Sequence, residues 1–295
     1  MKRLKMKLIK IKITPHSSFV TFPKGDTIFG HFAYHTFEED ETIFKNYVNE
    51  EPKIIFSDIL PDKYLYKPTL PLTAFGVQDT EKKEFRKKAW IDVEYLQQGN
   101  LTKVKELSFY KTDIRTRNSL NRMTFGTGGE GFDPFSLEEI TFLHQPVIYV
   151  LFDEVTFSED KIIERLNLIG KVGFGKKGSI GKGHFKAHID SSFNGFDEVE
   201  SDYYYYLTLS PTILHKSKEL IEKAYYNTFN RFGKYHSSTT PFKKPILMAD
   251  SGAVVKLKEK QEWIGGAVDN GIGKQSFVQG YSIVVPFRFG GVKNG

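Results

Sequence analysis

The segment from Gly170 to Phe185 reads Gly-Lys-Val-Gly-Phe-Gly-Lys-Lys-Gly-Ser-Ile-Gly-Lys-Gly-His-Phe, six glycines and four lysines in one run. No other stretch limits the fold as strongly. Glycine has no Cβ, so such a chain can turn tightly and bring its N–H groups close to a ligand. The lysines add positive charge, which suits a phosphate or a row of them. On the N-terminal side, Ser158 to Ile169 has helical spacing, with Ser158 as cap and Ile162, Ile163, Leu166 and Ile169 on one face. On the C-terminal side, His184 to Ile189 reads as a strand.

That order separates the familiar glycine motifs. Gly173, Gly175 and Gly178 satisfy G-x-G-x-x-G, but a dinucleotide fold places the strand before the glycines and the helix after them. A phosphate loop of the Walker type fails as well, because Gly183 follows Gly181 and Lys182 where a Ser or Thr is required. The partner motifs of protein kinases are absent. Two readings remain, a plain glycine-rich connection and a clamp on a nucleic-acid backbone. The clamp is the preferred one, carried by Lys171, Gly173, Phe174, Gly175, Lys176, Lys177, Gly178, Ser179, Gly181, Lys182 and Gly183. Phe174 is either a platform for base stacking or an anchor into the core.

Forty-two basic against thirty-six acidic residues give a formal net charge of +6, consistent with a polyanionic partner. The chain has no cysteine, which excludes disulfides, thiolate zinc sites and a cysteine nucleophile, and suits a reducing cytoplasm. The histidines show no metal-binding spacing, so neither a metal nor a cofactor is expected. The best apolar run, Val147 to Phe152, is strand-sized, and lysines interrupt the N-terminal segment. Neither a membrane span nor a signal peptide is expected.

Leu8 to Thr14 alternates, with Ile9, Ile11 and Ile13 on one side and a largely basic opposite side. Lys24, Gly25 and Asp26 then lead into a helical segment with Asp26 or Thr27 as N-cap. Residues 52–78, with four prolines, read as a strand (Lys53 to Phe56) and an ordered loop; Asp79 to Gln98 reads as a charged helical segment. Phe109 to Phe142 is a polar excursion expected to form a projecting hairpin. Val147 to Asp153 is a buried strand. This order resembles β-α-β-β-α-β, the ferredoxin-like or RRM-like plan, although the alternation does not by itself choose it. A second round begins near Asp202 to Leu209, with a helix expected from Ser217 to Phe229, a Gly/Ser/Thr/Pro-rich stretch at 233–245 and strands near Val254 and at Ile283 to Phe289. The expectation is an α+β chain of two tandem ferredoxin-like domains, 1–194 and 195–295. The first carries the hairpin (109–142) as a thumb-like insertion and the glycine loop (170–183).

The hairpin is the second functional candidate. Arg115, Arg117 and Arg122 present planar donors suited to phosphates and bases, Asn118 and Asn121 can bond base edges, and Met123 and Phe125 can wedge between nucleotides. A polar surface hairpin is the bland alternative. The Tyr203 to Tyr206 run reads as a strand, and Lys243, Lys244, Lys256, Lys258 and Lys260 as solvated charge. His16, His31 and His35 raise a further possibility, metal-independent RNA cleavage by a histidine acid/base. Packing and surface roles are commoner for single histidines.

Together these segments resemble the RAMP superfamily of CRISPR systems, and within it the 5′-end-capping subunits of type III-A Csm effector complexes. The resemblance rests on Lys24 to His31, on Arg115 to Asn118 with Arg122, on the glycine loop with its Ser179-Ile180-Gly181-Lys182-Gly183 ending, and on Val278 to Phe287. It implies two RRM-like domains with a thumb, and a non-catalytic role in which the 5′ tag of the guide RNA (crRNA) is gripped. It also implies two protein partners, the large polymerase/cyclase-type subunit and the repeated backbone RAMP subunit. Lys24 joins the implied RNA contacts. Gly178 departs from the pattern, standing where another basic residue is expected.

Overall fold

The computed structural model describes residues 6–45, 47–49, 51–121, 123–127, 134–199, 204–232, 244–269 and 277–290. Among them no helix is long and apolar enough to cross a membrane. The chain opens with β1 (Met6–Pro15), whose Ile9, Ile11 and Ile13 are buried as their alternation requires. Helix α1 (Gly25–Phe37) follows, then β2 (Ile54–Phe56) and β3 (Leu60–Pro61). Lys24, rather than Asp26 or Thr27, holds the N-cap position of α1, without a side-chain cap bond.

The segment read as one charged helix at 79–98 is broken. Strand β4 (Tyr64–Tyr66) pairs with β5 (Trp90–Asp92), leaving short helices α2 (Lys82–Lys87) and α3 (Val93–Gln97) on either side of β5. Burial of Trp90 and Ile91 against β4 outweighs the helix propensity of the surrounding lysines and glutamates. The excursion at 109–142 is an antiparallel hairpin of β6 (Tyr110–Arg117) and β7 (Phe135–Phe142), in register from Tyr110↔Phe142 to Arg117↔Phe135. Strand β8 (Pro146–Asp153), helix α4 (Glu159–Val172) and β9 (Phe185–Ile189) complete this half.

The main sheet runs β2-β8-β1-β9 with every neighbour antiparallel, and β3 also pairs with β8. Strand β8 is buried along its whole length. Phe193 and Phe196 lie against the Tyr149 ring at 5.4 and 4.9 Å. The basic side of β1 is neutralised: Lys10 pairs with Asp62 and Asp190, and Lys12 with Asp190 at 3.0 Å. Burial alone would raise the Asp190 pKa. Hydrogen bonds from Ser192, Lys12 and Lys10 outweigh that and hold it well below the usual carboxylate range.

In the second half, β10 (Tyr204–Thr208), β11 (Ile221–Tyr225), β14 (Val254–Leu257), β15 (Trp263–Gly265) and β18 (Tyr281–Phe287) form an antiparallel sheet in the order β11-β14-β10-β18-β15. Strand pairs β12 (Thr228–Arg231) with β13 (Ile246–Ala249), and β16 (Val268–Asp269) with β17 (Phe277–Val278), lie outside it. The helix expected at Ser217 to Phe229 is instead β11 and β12. Pairing with β14 overrides the helical propensity, and a bulge between Ile221 and Lys223 hides the period-two pattern. Numbered along the chain within each main sheet, the first reads 2-3-1-4 and the second 2-3-1-5-4, so the first three positions agree and β15 is an extra strand outside β18. A short 3-10 turn, Leu214–Ser217, stands where the first half has α1. Most of the Gly/Ser/Thr/Pro-rich stretch, Lys243 included, lies outside the described residues.

One hydrophobic cluster spans both halves, from Ile11 and Phe32 to Leu207, Val254 and Phe287. The buried side chain of Gln279 seals it, accepting from the Phe56 amide at 3.1 Å and donating to the Phe56 carbonyl at 3.0 Å. Such a buried amide must find both partners to be tolerated.

Candidate nucleic-acid interface

Helix α4 ends at the glycines, and the loop then folds back on the protein. Gly173 N donates to Ile169 O, Phe174 N to Gly183 O at 2.9 Å, and Gly183 N to Ser18 O at 2.9 Å. Gly183 (φ +70°) is needed sterically, since a Cβ there would lie 2.2 Å from the Phe174 carbonyl oxygen. Phe174 is 2% exposed, against Phe19 and with its ring 4.7 Å from that of His31. It anchors the loop, and the stacking-platform reading is corrected: the core, with the His31 ring, holds the side chain. The tip is what faces outward. Lys176, Lys177 and Ser179 are exposed. Lys171 is exposed at the end of α4.

The hairpin is rooted beside this loop. Phe19 exchanges two backbone hydrogen bonds with Ile140, and Phe142 packs on Phe19 and Phe109 with ring centroids 5.4 and 5.1 Å apart. Its far end is shaped by Asn121, whose Oδ1 accepts from the amides of Met123 (2.9 Å) and Thr124 (3.3 Å). That turn leaves Met123 92% and Phe125 79% exposed, and Phe125 sits at φ +54°, a costly conformation for a non-glycine residue. Large apolar side chains held out in solvent by a structured turn fit a wedge. Asn118 lies just past the end of β6; Arg122 lies outside the described residues.

Glu139 joins loop to hairpin. It is 2% exposed, on the inward side of β7 with Leu137, and accepts from Lys182 Nζ at 2.7 Å, Ser18 Oγ at 2.7 Å and Arg117 at 2.8 Å, with Arg115 at 3.8 Å. Burial would raise its pKa. The bonds from Lys182, Ser18 and Arg117 outweigh that and lower it from the ordinary 4.5 to about 2. Lys182 is therefore a structural cation, with only a small part of its side chain exposed. Lys177 Nζ reaches the same hairpin, 5.0 Å over the Phe135 ring. With three cations around one carboxylate, and Lys176 and Lys177 beside them, the junction keeps a positive excess.

Lys24 is placed elsewhere. Its Nζ bonds Asp250 at 2.8 Å and the fully buried Asp58 at 3.4 Å. Burial works against its charge, but the Asp58 and Asp250 carboxylates outweigh it and raise the pKa above its ordinary value. Asp26 pairs with Arg231. The Lys24-Gly25-Asp26 motif thus ties the two halves together, and the RNA-contact reading of Lys24 is corrected on that ground. His31 and His35 are engaged separately: His31 Nε2 accepts from Gly175 N at 3.2 Å, and His35 Nδ1 lies 3.1 Å from Glu38. Among the described residues no cluster of His, Asp and Glu could hold a metal ion.

Residue-type reasoning missed Glu139, Ser18 and Phe135. The one available signal for Glu139 was its spacing of two from Leu137, which puts a carboxylate on the inward side of a strand.

No protein-family model matches the chain, and no curated protein matches it in sequence. In fold it is similar to a chain of the Csm3-Csm4 subcomplex of a type III-A CRISPR-Cas interference complex, with a TM-score of 0.59, 17% identity, and coverage of 95% of this chain and 100% of that one. It is also similar to a chain of a Csm1-Csm4 cassette in complex with cA4, with a TM-score of 0.58, 17% identity and coverage of 97% and 100%. A Csm1-Csm4 cassette in complex with AMPPNP gives a TM-score of 0.58 at 18% identity, with coverage of 97% and 100%. The chain therefore shares, over almost its entire length, the mixed α/β and sheet-dominated fold of a subunit of type III CRISPR complexes.

Proposed function

We propose that this chain is a non-catalytic guide-RNA-binding subunit of a type III CRISPR interference complex, of the Csm4 kind, capping the repeat-derived 5′ tag of the crRNA. The observation that carries the reading is the junction at Glu139, where a glycine loop with exposed lysines meets a hairpin bearing Arg115, Arg117, Met123 and Phe125. Lysines suit phosphates, and exposed apolar side chains suit unstacked bases. The fold supports the assignment: Csm4 is the component named in both kinds of assembly to which the chain is similar, beside Csm3 in one and Csm1 in the other. We read the two sheets as ferredoxin-like units, the second without an α-helix among its described residues. On this reading one partner is the large polymerase/cyclase-type subunit, another is the repeated backbone subunit, and the setting is the cytoplasm.

The experiment is co-expression with both partner subunits and a guide RNA, followed by 5′-exonuclease digestion of the assembled particle. The reading expects the tag to be protected, and to become digestible when Arg115, Arg117, Met123 and Phe125 are all replaced by alanine. A tag equally digestible with and without the chain overturns capping. Guide RNA cut at a new internal position when the chain is added, and intact when His16 is replaced by alanine, would favour a metal-independent ribonuclease instead.

A further inference from the structure

We infer that the chain carries a second anion subsite, for a phosphate group, in the open depression between the last turn of α4 and the outer edge of β9. Pairing of β1 with β9 places Thr14 opposite Lys186 and Pro15 opposite Phe185. It continues one step further through His16 N donating to His184 O at 2.8 Å. His16 and His184 are thus cross-strand neighbours, with Cβ atoms about 4.5–5.5 Å apart, and alternation puts Lys186 on the same side. Gly170 brings α4 down on this edge, since a Cβ there would lie 2.1 Å from the Phe185 carbonyl oxygen. Lys171, the next residue, is carried to the same place.

The result is a depression of about 490 Å³ lined by His16, Asn167, Gly170, Lys171, His184, Phe185 and Lys186. Two lysines and two imidazoles line it, and among the described residues no carboxylate does. Lysine ammoniums and imidazole N–H groups suit phosphate oxygens, and imidazole faces suit bases. A polypeptide adding to the edge of β9 is a poor fit. The Asn167 side chain already occupies that edge, donating to Ala187 O at 3.2 Å and accepting from Ala187 N at 2.8 Å, as a neighbouring strand would. The source of the phosphate rests on the guide-RNA reading. His184 directly follows Gly183, so a strand leaving the glycine loop would pass into this depression, adding a contact beyond the junction at Glu139.

Two arms test the inference on the intact chain. In the first, ring signals of ¹³C-labelled histidines are followed while inorganic pyrophosphate is added, with His16→Gln and His184→Gln for assignment. Shifts confined to His16 and His184, with His144 and His215 unmoved, are expected; two unmoved rings overturn the subsite. In the second, Lys171→Ala/Lys186→Ala is titrated with tagged guide RNA. Both lysines are exposed, so the melting temperature should hold. Affinity should fall about tenfold, and the salt slope by about 1.4 for two contacts on a single strand. Wild-type affinity and slope in this variant would overturn the subsite as a guide contact. Pyrophosphate shifts in a wild-type chain that binds no tagged RNA would support the anion subsite and overturn the guide-RNA reading.

Discussion

Replacing Glu139 by glutamine should destabilise the protein in a way that depends on pH. The carboxylate is 2% exposed and holds Lys182, Ser18 and Arg117, which lower its pKa from the ordinary 4.5 to about 2. That difference corresponds to about 3 kcal/mol at neutral pH, at about 1.4 kcal/mol per tenfold change in proton affinity. The folded pKa lies below the unfolded one. The stabilisation is therefore complete above about pH 4.5 and is lost as the pH falls toward 2. Urea unfolding of wild type and Glu139→Gln should show a gap of about 3 kcal/mol at pH 7, narrowing to about 1.5 kcal/mol at pH 3. In a thermal melt at pH 7 this is a drop of about 6–10 °C. A variant within 1 kcal/mol of wild type at pH 7, or a gap of constant size, would refute the view that Glu139 is a buried anion binding the loop to the hairpin.

Three further outcomes follow from the same geometry. Phe174→Ala should cost about 3–5 kcal/mol, as for a large buried ring; a variant that melts like wild type but binds RNA poorly would restore the stacking platform. Lys24→Met should cost about 3–5 kcal/mol in denaturant titrations by leaving the Asp58 charge buried with its ammonium partner gone, and a neutral result would show that Tyr66 and Ser251 suffice for it. Lys176→Ala/Lys177→Ala, at the exposed loop tip, should leave the melt unchanged while lowering the salt slope of RNA binding by about 1.4; an unchanged slope would move the phosphate contacts away from the tip.

Much of the first half was legible because its signals are local. The alternation of Ile9, Ile11 and Ile13, the Ser158 cap and the inward face of Ile162, Leu166 and Ile169 each need only a few neighbouring residues. The second half was less so. Residues 217–229 carry helix formers, and only pairing with β14, more than twenty positions away, makes Ile221 to Tyr225 a strand. Trp90 and Ile91 likewise become β5 through distant Tyr64 to Tyr66.

The site divides the same way. Lysines and glycines mark the loop, but composition does not say which cations already have a carboxylate. Lys176 and Lys177 face solvent, Lys182 turns inward to Glu139, and Lys24 to Asp58 and Asp250. Glycines chosen to approach a ligand and glycines chosen to approach their own backbone look alike in sequence. Gly183 is of the second kind.

The most direct test of the central claim is a salt-dependent titration of this chain with end-labelled guide RNA carrying its 5′ tag, beside a tagless control, on native and denaturing gels. Tight binding that requires the tag, weakens with salt and leaves the RNA intact is predicted. Equal binding of both RNAs, binding of neither, or a cleaved product would contradict it.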